Sequence, residues 1–202
     1  MNQLAVLGAV VLGACGGPKS PPESPYKAGQ SSKEVALTVT LETYEVSGET
    51  ALELAEQMTE KGPRGSEGEA FDAYTTWWFT WPHDSVETDE GCTAEGVGVT
   101  LKLTYEMPLA AADQTWNAAL TRKWRKFTSA LWTHELGHGD LALTQAEELQ
   151  AQLEALPAEA DCDALRATVD ELGDQAMDAH NAAQRAYDDE TSHGRTQGAV
   201  FP

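Results

Sequence analysis

Basic residues are scarce in this chain. Thirteen Lys and Arg stand against thirty-three Asp and Glu, and the formal net charge is −20 over 202 residues. Proteins that bind nucleic acid gain much of their affinity by displacing counterions with a basic surface, so direct nucleic-acid binding is excluded. The acidity reads as a solvated surface, much of it on the segment after residue 144. Long apolar runs are scarce too: residues 4–14 are apolar or small, far short of the ~20 residues a membrane-spanning helix needs. Histidine and cysteine are few, five and three respectively, so each is worth placing.

Residues 4–14 fit a cleaved export signal, although Met1-Asn2-Gln3 supplies no Lys or Arg. Leu12-Gly13-Ala14-Cys15 resembles the lipobox of bacterial lipoproteins, in which the cysteine is lipidated and becomes the mature N-terminus. An ordinary signal with an incidental cysteine is the alternative. The expected division is a signal at 1–14, a lipidated Cys15 with a Pro/Gly/Ser-rich tether to residue 33, and one domain over 34–202. Membrane association is then expected only through the lipid. Gly16, rather than Asp, after the cysteine is similar to the pattern sorted to the outer membrane, facing the periplasm. Cys92 and Cys162 remain as an even pair in an oxidising compartment, expected to form a disulfide; free buried thiols or a metal pair are the other readings.

Along the domain, Val35, Leu37, Val39 and Leu41 alternate with other residues, the period of a half-buried strand. Thr50 and Glu53 form a capping box ahead of a short helix over residues 51–61. Residues 63–69 are a loop. Residues 73–81 are aromatic and Thr-rich, as in a strand. On that strand Trp77, Trp78 and Trp81 read as sheet packing rather than as part of a site. Val97, Val99, Leu101, Leu103 and Tyr105 give another strand, ended by Pro108. No proline occurs from Asp113 to Leu156. That stretch reads as one long helix, or two with a break near Gly137-His138-Gly139. A last helix starts near Asp163 and runs to about Asp189. Strands first and helices afterwards indicate an α+β domain.

The long helix carries His134-Glu135-Leu136-Gly137-His138, an H-E-x-x-H sequence. Positions i and i+4 lie one turn apart on one face, where two imidazoles can bind one Zn2+ and the glutamate can act on water at the metal. Phe127, Leu131, His134, His138 and Leu141 share a single inward stripe. Gly137, a poor helix former, leaves room for a neighbour to approach closely.

A catalytic zinc usually takes three protein ligands. The metzincin spacing would require Gly at 141 and His at 144; Leu141 and Thr144 exclude it. Of the other histidines, His83 follows a Trp-Pro pair as a turn residue does, and His180 falls mid-helix, where a solvated face is the simple account. His193 lies in Tyr187-Asp188-Asp189-Glu190-Thr191-Ser192-His193-Gly194, where the last helix should stop.

Y-D-x-x-T-x-H-G downstream of H-E-x-x-H resembles a group of bacterial exported proteins, domain-of-unknown-function family 922, regarded as zinc-dependent proteases. The resemblance extends to Tyr44-Glu45-Val46-Ser47-Gly48, Trp77, the strand after Cys92, and Ala142, and covers roughly residues 35–198. It implies a zincin-like α+β fold: a small, mainly antiparallel sheet on the active-site helix, with a further C-terminal helix. By the same resemblance His134 and His138 are zinc ligands and Glu135 is the general base. Within the second motif His193 is expected as third ligand, since imidazole suits zinc; Asp188 is the competitor, or else orients a ligand histidine. Tyr187 is expected to stabilise an oxyanion, with packing as the other reading. Gly194 permits a turn and Thr191 caps it.

The expected activity is hydrolysis of a peptide or protein substrate by an exported zinc metallopeptidase. The alternatives are a non-catalytic, zinc-stabilised envelope lipoprotein that binds a protein partner, and a zinc hydrolase of non-protein amides.

Overall fold

A computed structural model describes residues 35–65 and 67–201. The expected signal, Cys15 and the tether lie outside the described residues. The domain is α+β. Strand β1 spans Ala36–Val46, helix α1 Ala51–Lys61, β2 Tyr74–Thr80, β3 Asp84–Thr88, β4 Gly91–Glu95 and β5 Thr100–Ala110. Helix α2 spans Ala118–Glu154 and α3 Cys162–Thr191, followed by a 3-10 turn at Arg195–Gln197. Among the described residues no helix is long and apolar enough to cross a membrane.

The main sheet has the order β1-β5-β2, and β3 and β4 form a separate hairpin. β2 runs antiparallel to β5, and β3 to β4, whereas β1 and β5 pair in parallel. The pleat sends alternate residues to opposite faces. On the inner face Leu37, Leu101 and Phe79 form one row across the strands, Val39, Leu103 and Trp77 the next, and Leu41, Tyr105 and Thr75 a third. Leu101, Leu103 and Tyr105 are fully buried there. β5 does not stop at Pro108 as the sequence suggests. β2 pairs only as far as Glu106, so beyond it β5 has one neighbour, β1. Proline is tolerated at such an edge because a missing N–H there need not break a ladder bond.

Both long helices cover the inner face. Trp132 of α2 meets Tyr105 at 5.2 Å, and His180 of α3 meets Trp77 and Phe79 of β2. α2 is one unbroken helix of 37 residues, about 55 Å long at the usual rise. Its two central glycines are filled by tyrosines from other elements: a Cβ on Gly137 would lie 2.1 Å from the Tyr187 hydroxyl, and one on Gly139 1.9 Å from that of Tyr105. The capping box at Thr50 and Glu53 starts α1 as expected, and Asn117 and Asp161 cap α2 and α3. Cys92 of β4 and Cys162, the first residue of α3, are joined in a disulfide. Cys92 also exchanges backbone hydrogen bonds with Glu159, so the hairpin is fastened to the start of α3.

Candidate metal centre

The helical repeat brings His134 and His138 of α2 onto one face, with Nε2 atoms 3.2 Å apart. α3 crosses them with its last turn and supplies Asp188, whose Oδ1 lies 3.2 Å from each Nε2. The three ligand atoms form a nearly equilateral triangle. Atoms 2.0–2.1 Å from a tetrahedral metal stand about 3.3 Å apart, so the triangle has the size a zinc ion requires. Among the described residues, His134, His138 and Asp188 are the group able to hold a metal ion.

The proton inventory of this cluster favours a cation. Gln184 Oε1 makes a short contact with His138 Nδ1, and Gln197 Oε1 lies 3.1 Å from His134 Nδ1. Each amide is oriented by its own NH2 group: that of Gln184 donates to the His138 carbonyl at 3.0 Å, and that of Gln197 to the Tyr187 hydroxyl at 3.0 Å. A carbonyl oxygen only accepts, so both rings carry a proton at Nδ1 and, when neutral, a lone pair at Nε2. Two lone pairs and a carboxylate then converge. Either an imidazole is protonated or a metal cation joins them. Burial alone would lower the His138 pKa, but hydrogen bonds to Asp188 and Gln184 outweigh it and raise it. Burial would raise the Asp188 carboxyl, yet its hydrogen bonds with the two histidines hold it well below the usual range.

Glu135 points from the same helix toward β2. It is 4% exposed, and the Thr75 hydroxyl donates to its Oε2 at 2.6 Å. Burial raises its pKa, an effect that the Thr75 hydrogen bond and the two imidazoles oppose. A buried carboxylate with a raised pKa beside a ligand triangle suits proton transfer. A cleft of about 370 Å³ opens over these groups. Phe71, Tyr74 and Trp77 line one part of it, and Ser192, His193 and Arg195 another.

The model of a family described as "Bacterial protein of unknown function (DUF922)" matches residues 41–194. The chain belongs to this family. No curated protein and no solved structure matches it. The family match takes in both motifs and every member of the ligand triangle.

Within this family member, the structure departs from four expectations. First, His193 is not part of the triangle: its Nδ1 lies 3.4 Å from Asp188 Oδ1, and its side chain is 66% exposed. It falls just past the end of α3, where Ser192, His193 and Gly194 all have positive φ; the chain turns there and leaves the imidazole at the cleft rim, beside Asp188. Second, the Tyr187 hydroxyl is not directed into the cleft. Its ring stacks on His134 at 5.1 Å, and its hydroxyl donates to the His134 carbonyl at 3.3 Å, so it braces the helix instead of awaiting an oxyanion. Third, His180 is not on a solvated face but is 1% exposed. Fourth, Trp77 packs in the sheet and also lines the cleft. Trp78, by contrast, is 66% exposed, and Trp81 lies over Gly173 of α3.

The turn residues behave as expected. Thr191 accepts from the Gly194 N–H at 3.3 Å, and Gly194, at φ 76°, packs on the His134 ring. Thr75, Gln184 and Gln197 have no sequence signature of their own; the fold alone brings them to Glu135, His138 and His134.

Proposed function

We propose that the protein is an exported zinc-dependent metallopeptidase, with His134, His138 and Asp188 as metal ligands and Glu135 as general base. The observation that carries this reading is the ligand triangle of 3.2 Å sides with a buried glutamate beside it. The donor set of two imidazoles and a carboxylate is one that zinc accepts in catalytic sites. A zinc ion held there would polarise a substrate carbonyl and lower the pKa of water at the site. Glu135, beside the ligands, would take a proton from water there and deliver it to the leaving amine. Thr75 holds the glutamate in place. Gln184 and Gln197 hold the imidazoles by their Nδ1 protons, the outer-shell arrangement that fixes ligand tautomers. Tyr187 keeps the His134 ring in its plane.

The cleft beside the ligands favours catalysis over a purely structural metal, which is normally enclosed by four protein ligands. Its size and mixed aromatic and polar lining suit a peptide segment. The Cys92–Cys162 disulfide supports export, since such bonds persist in oxidising compartments. Attachment to the envelope through Cys15 belongs to the same proposal.

Hydrolysis of a mixed peptide library by the zinc-loaded protein and its Glu135→Gln variant tests the reading. The variant should retain zinc and lose activity by about a hundredfold or more. Unchanged hydrolysis in the variant would contradict the mechanism. Cleavage of small amides but of no peptide would redirect the substrate class.

A further inference from the structure

Gln184 lies between two histidines with different tasks. Its Oε1 accepts from His138 Nδ1, while its Nε2 donates to the His138 carbonyl at 3.0 Å and faces His180 Nε2 at 3.3 Å. All three side chains are buried. We infer that His180 is a positioning residue for the metal centre: its Nε2 lone pair helps hold the Gln184 amide in the orientation that leaves His138 Nε2 free to bind a cation. The inference rests on the metal-site reading above.

The amide has two possible orientations. As it stands, its oxygen requires a proton on His138 Nδ1, so the lone pair of the neutral ring faces the ligand triangle. Flipped, its NH2 group would face Nδ1 and require an acceptor there. The ring proton would then move to Nε2, and the ligand atom would be lost. Two acceptors oppose the flip: the His138 carbonyl and His180 Nε2. The second exists only if His180 is neutral with its proton on Nδ1.

The surroundings of His180 favour that state. Burial drives its pKa down to about 4, so the ring is neutral at ordinary pH. Its Nδ1 has no hydrogen-bond partner among the described residues. The ring stands nearly perpendicular to Trp77, with centroids 4.7 Å apart, and lies 5.2 Å from Phe79. A leucine would suit this apolar setting without leaving a buried donor to aromatic neighbours alone. The polar ring is explained by the contact it makes on its other side, with Gln184.

Nitrogen NMR of the histidine side chains in the metal-free full chain reads the tautomers without any variant. His138 and His180 should both be protonated at Nδ1; a His180 protonated at Nε2 would overturn the inference. His180→Leu should deplete the proton on His138 Nδ1 and weaken zinc binding about tenfold or more in competition with a chelator. His180→Gln, which places an acceptor oxygen near the position of Nε2, should restore most of that affinity. Equal zinc affinity and an unchanged His138 tautomer in His180→Leu would also overturn it. A parent chain that binds no zinc would count against the metal centre itself, and the tautomers would still decide the role of His180.

Discussion

Three hydrogen-bond acceptors meeting at 3.2 Å repel one another unless a proton or a metal ion joins them. At the residue scale, that convergence is the feature on which the proposed metal centre rests, and its neighbours can be tested one at a time. The Thr75 hydroxyl lowers the pKa of Glu135 against the larger effect of burial. Thr75→Val should therefore raise that pKa further and move the acidic limb of the kcat/KM profile to higher pH, as a pH–rate series will show. Asp72, on the cleft wall, is held above its ordinary value by burial. A carboxyl with a raised folded pKa contributes stability below its unfolded pKa and loses it as pH rises through the folded one. Asp72→Asn should thus melt higher than the parent near about pH 7, with the difference fading near about pH 3, in thermal melts at the two values.

Residue by residue, the sequence was an uneven guide. His134, Glu135 and His138 are legible because helical spacing alone puts them together. The choice between Asp188 and His193 is not, since it depends on where α3 ends. Asp188 lies within the last helical turn and reaches both histidines of α2, whereas His193 follows the left-handed Ser192 and reaches only Asp188, from the exposed rim of the cleft. Thr75, Gln184 and Gln197 are common residue types that acquire roles only from the pairing of distant elements.

At the scale of elements, periodicity served well where letters and burial agree. β1, α1 and β2 lie close to where alternation, the capping box and the aromatic run place them. α3 shows how the same signal can be cut short. Its buried stripe runs Leu165, Val169, Gly173, Ala176, His180, Gln184 and Thr191, a continuous helical face whose second half is polar. Following spacing rather than hydrophobicity would have placed His180 and Gln184 inside. The β3–β4 hairpin has no such pattern: Asp84–Thr88 is mostly polar and exposed, and the hairpin is held by its own pairing and by the link from Cys92 to α3. Glycine in α2 was ambiguous between a break and a close approach, and the approach of Tyr187 and Tyr105 decides it. Gly137→Ala gains about 1 kcal/mol in helix propensity but forces Tyr187 off the His134 ring, an overpacking cost of about 1–3 kcal/mol. Lower melting temperature and weaker zinc binding are the expected results; a higher melting temperature would show that the tyrosine yields freely.

At the scale of the whole molecule, one sheet face carries both long helices, and the site forms where α2, α3 and β2 meet. The disulfide closes a loop with a sequence separation of 70 residues, for which the chain-entropy estimate is about 4 kcal/mol. Replacing Cys92 and Cys162 together by alanine should reduce stability by about that amount in urea denaturation. The long range of that link, the parallel β1–β5 pairing and the packing of α3 on β2 lie beyond local periodicity, which explains why the class of fold was readable and its topology was not.

The most direct test of the account is the zinc content of the domain, measured by elemental analysis after zinc reconstitution, beside Asp188→Ala and His193→Ala. The parent and His193→Ala should each hold about one zinc per chain, and Asp188→Ala should lose most of it. A parent without zinc, or a loss confined to His193→Ala, would contradict it.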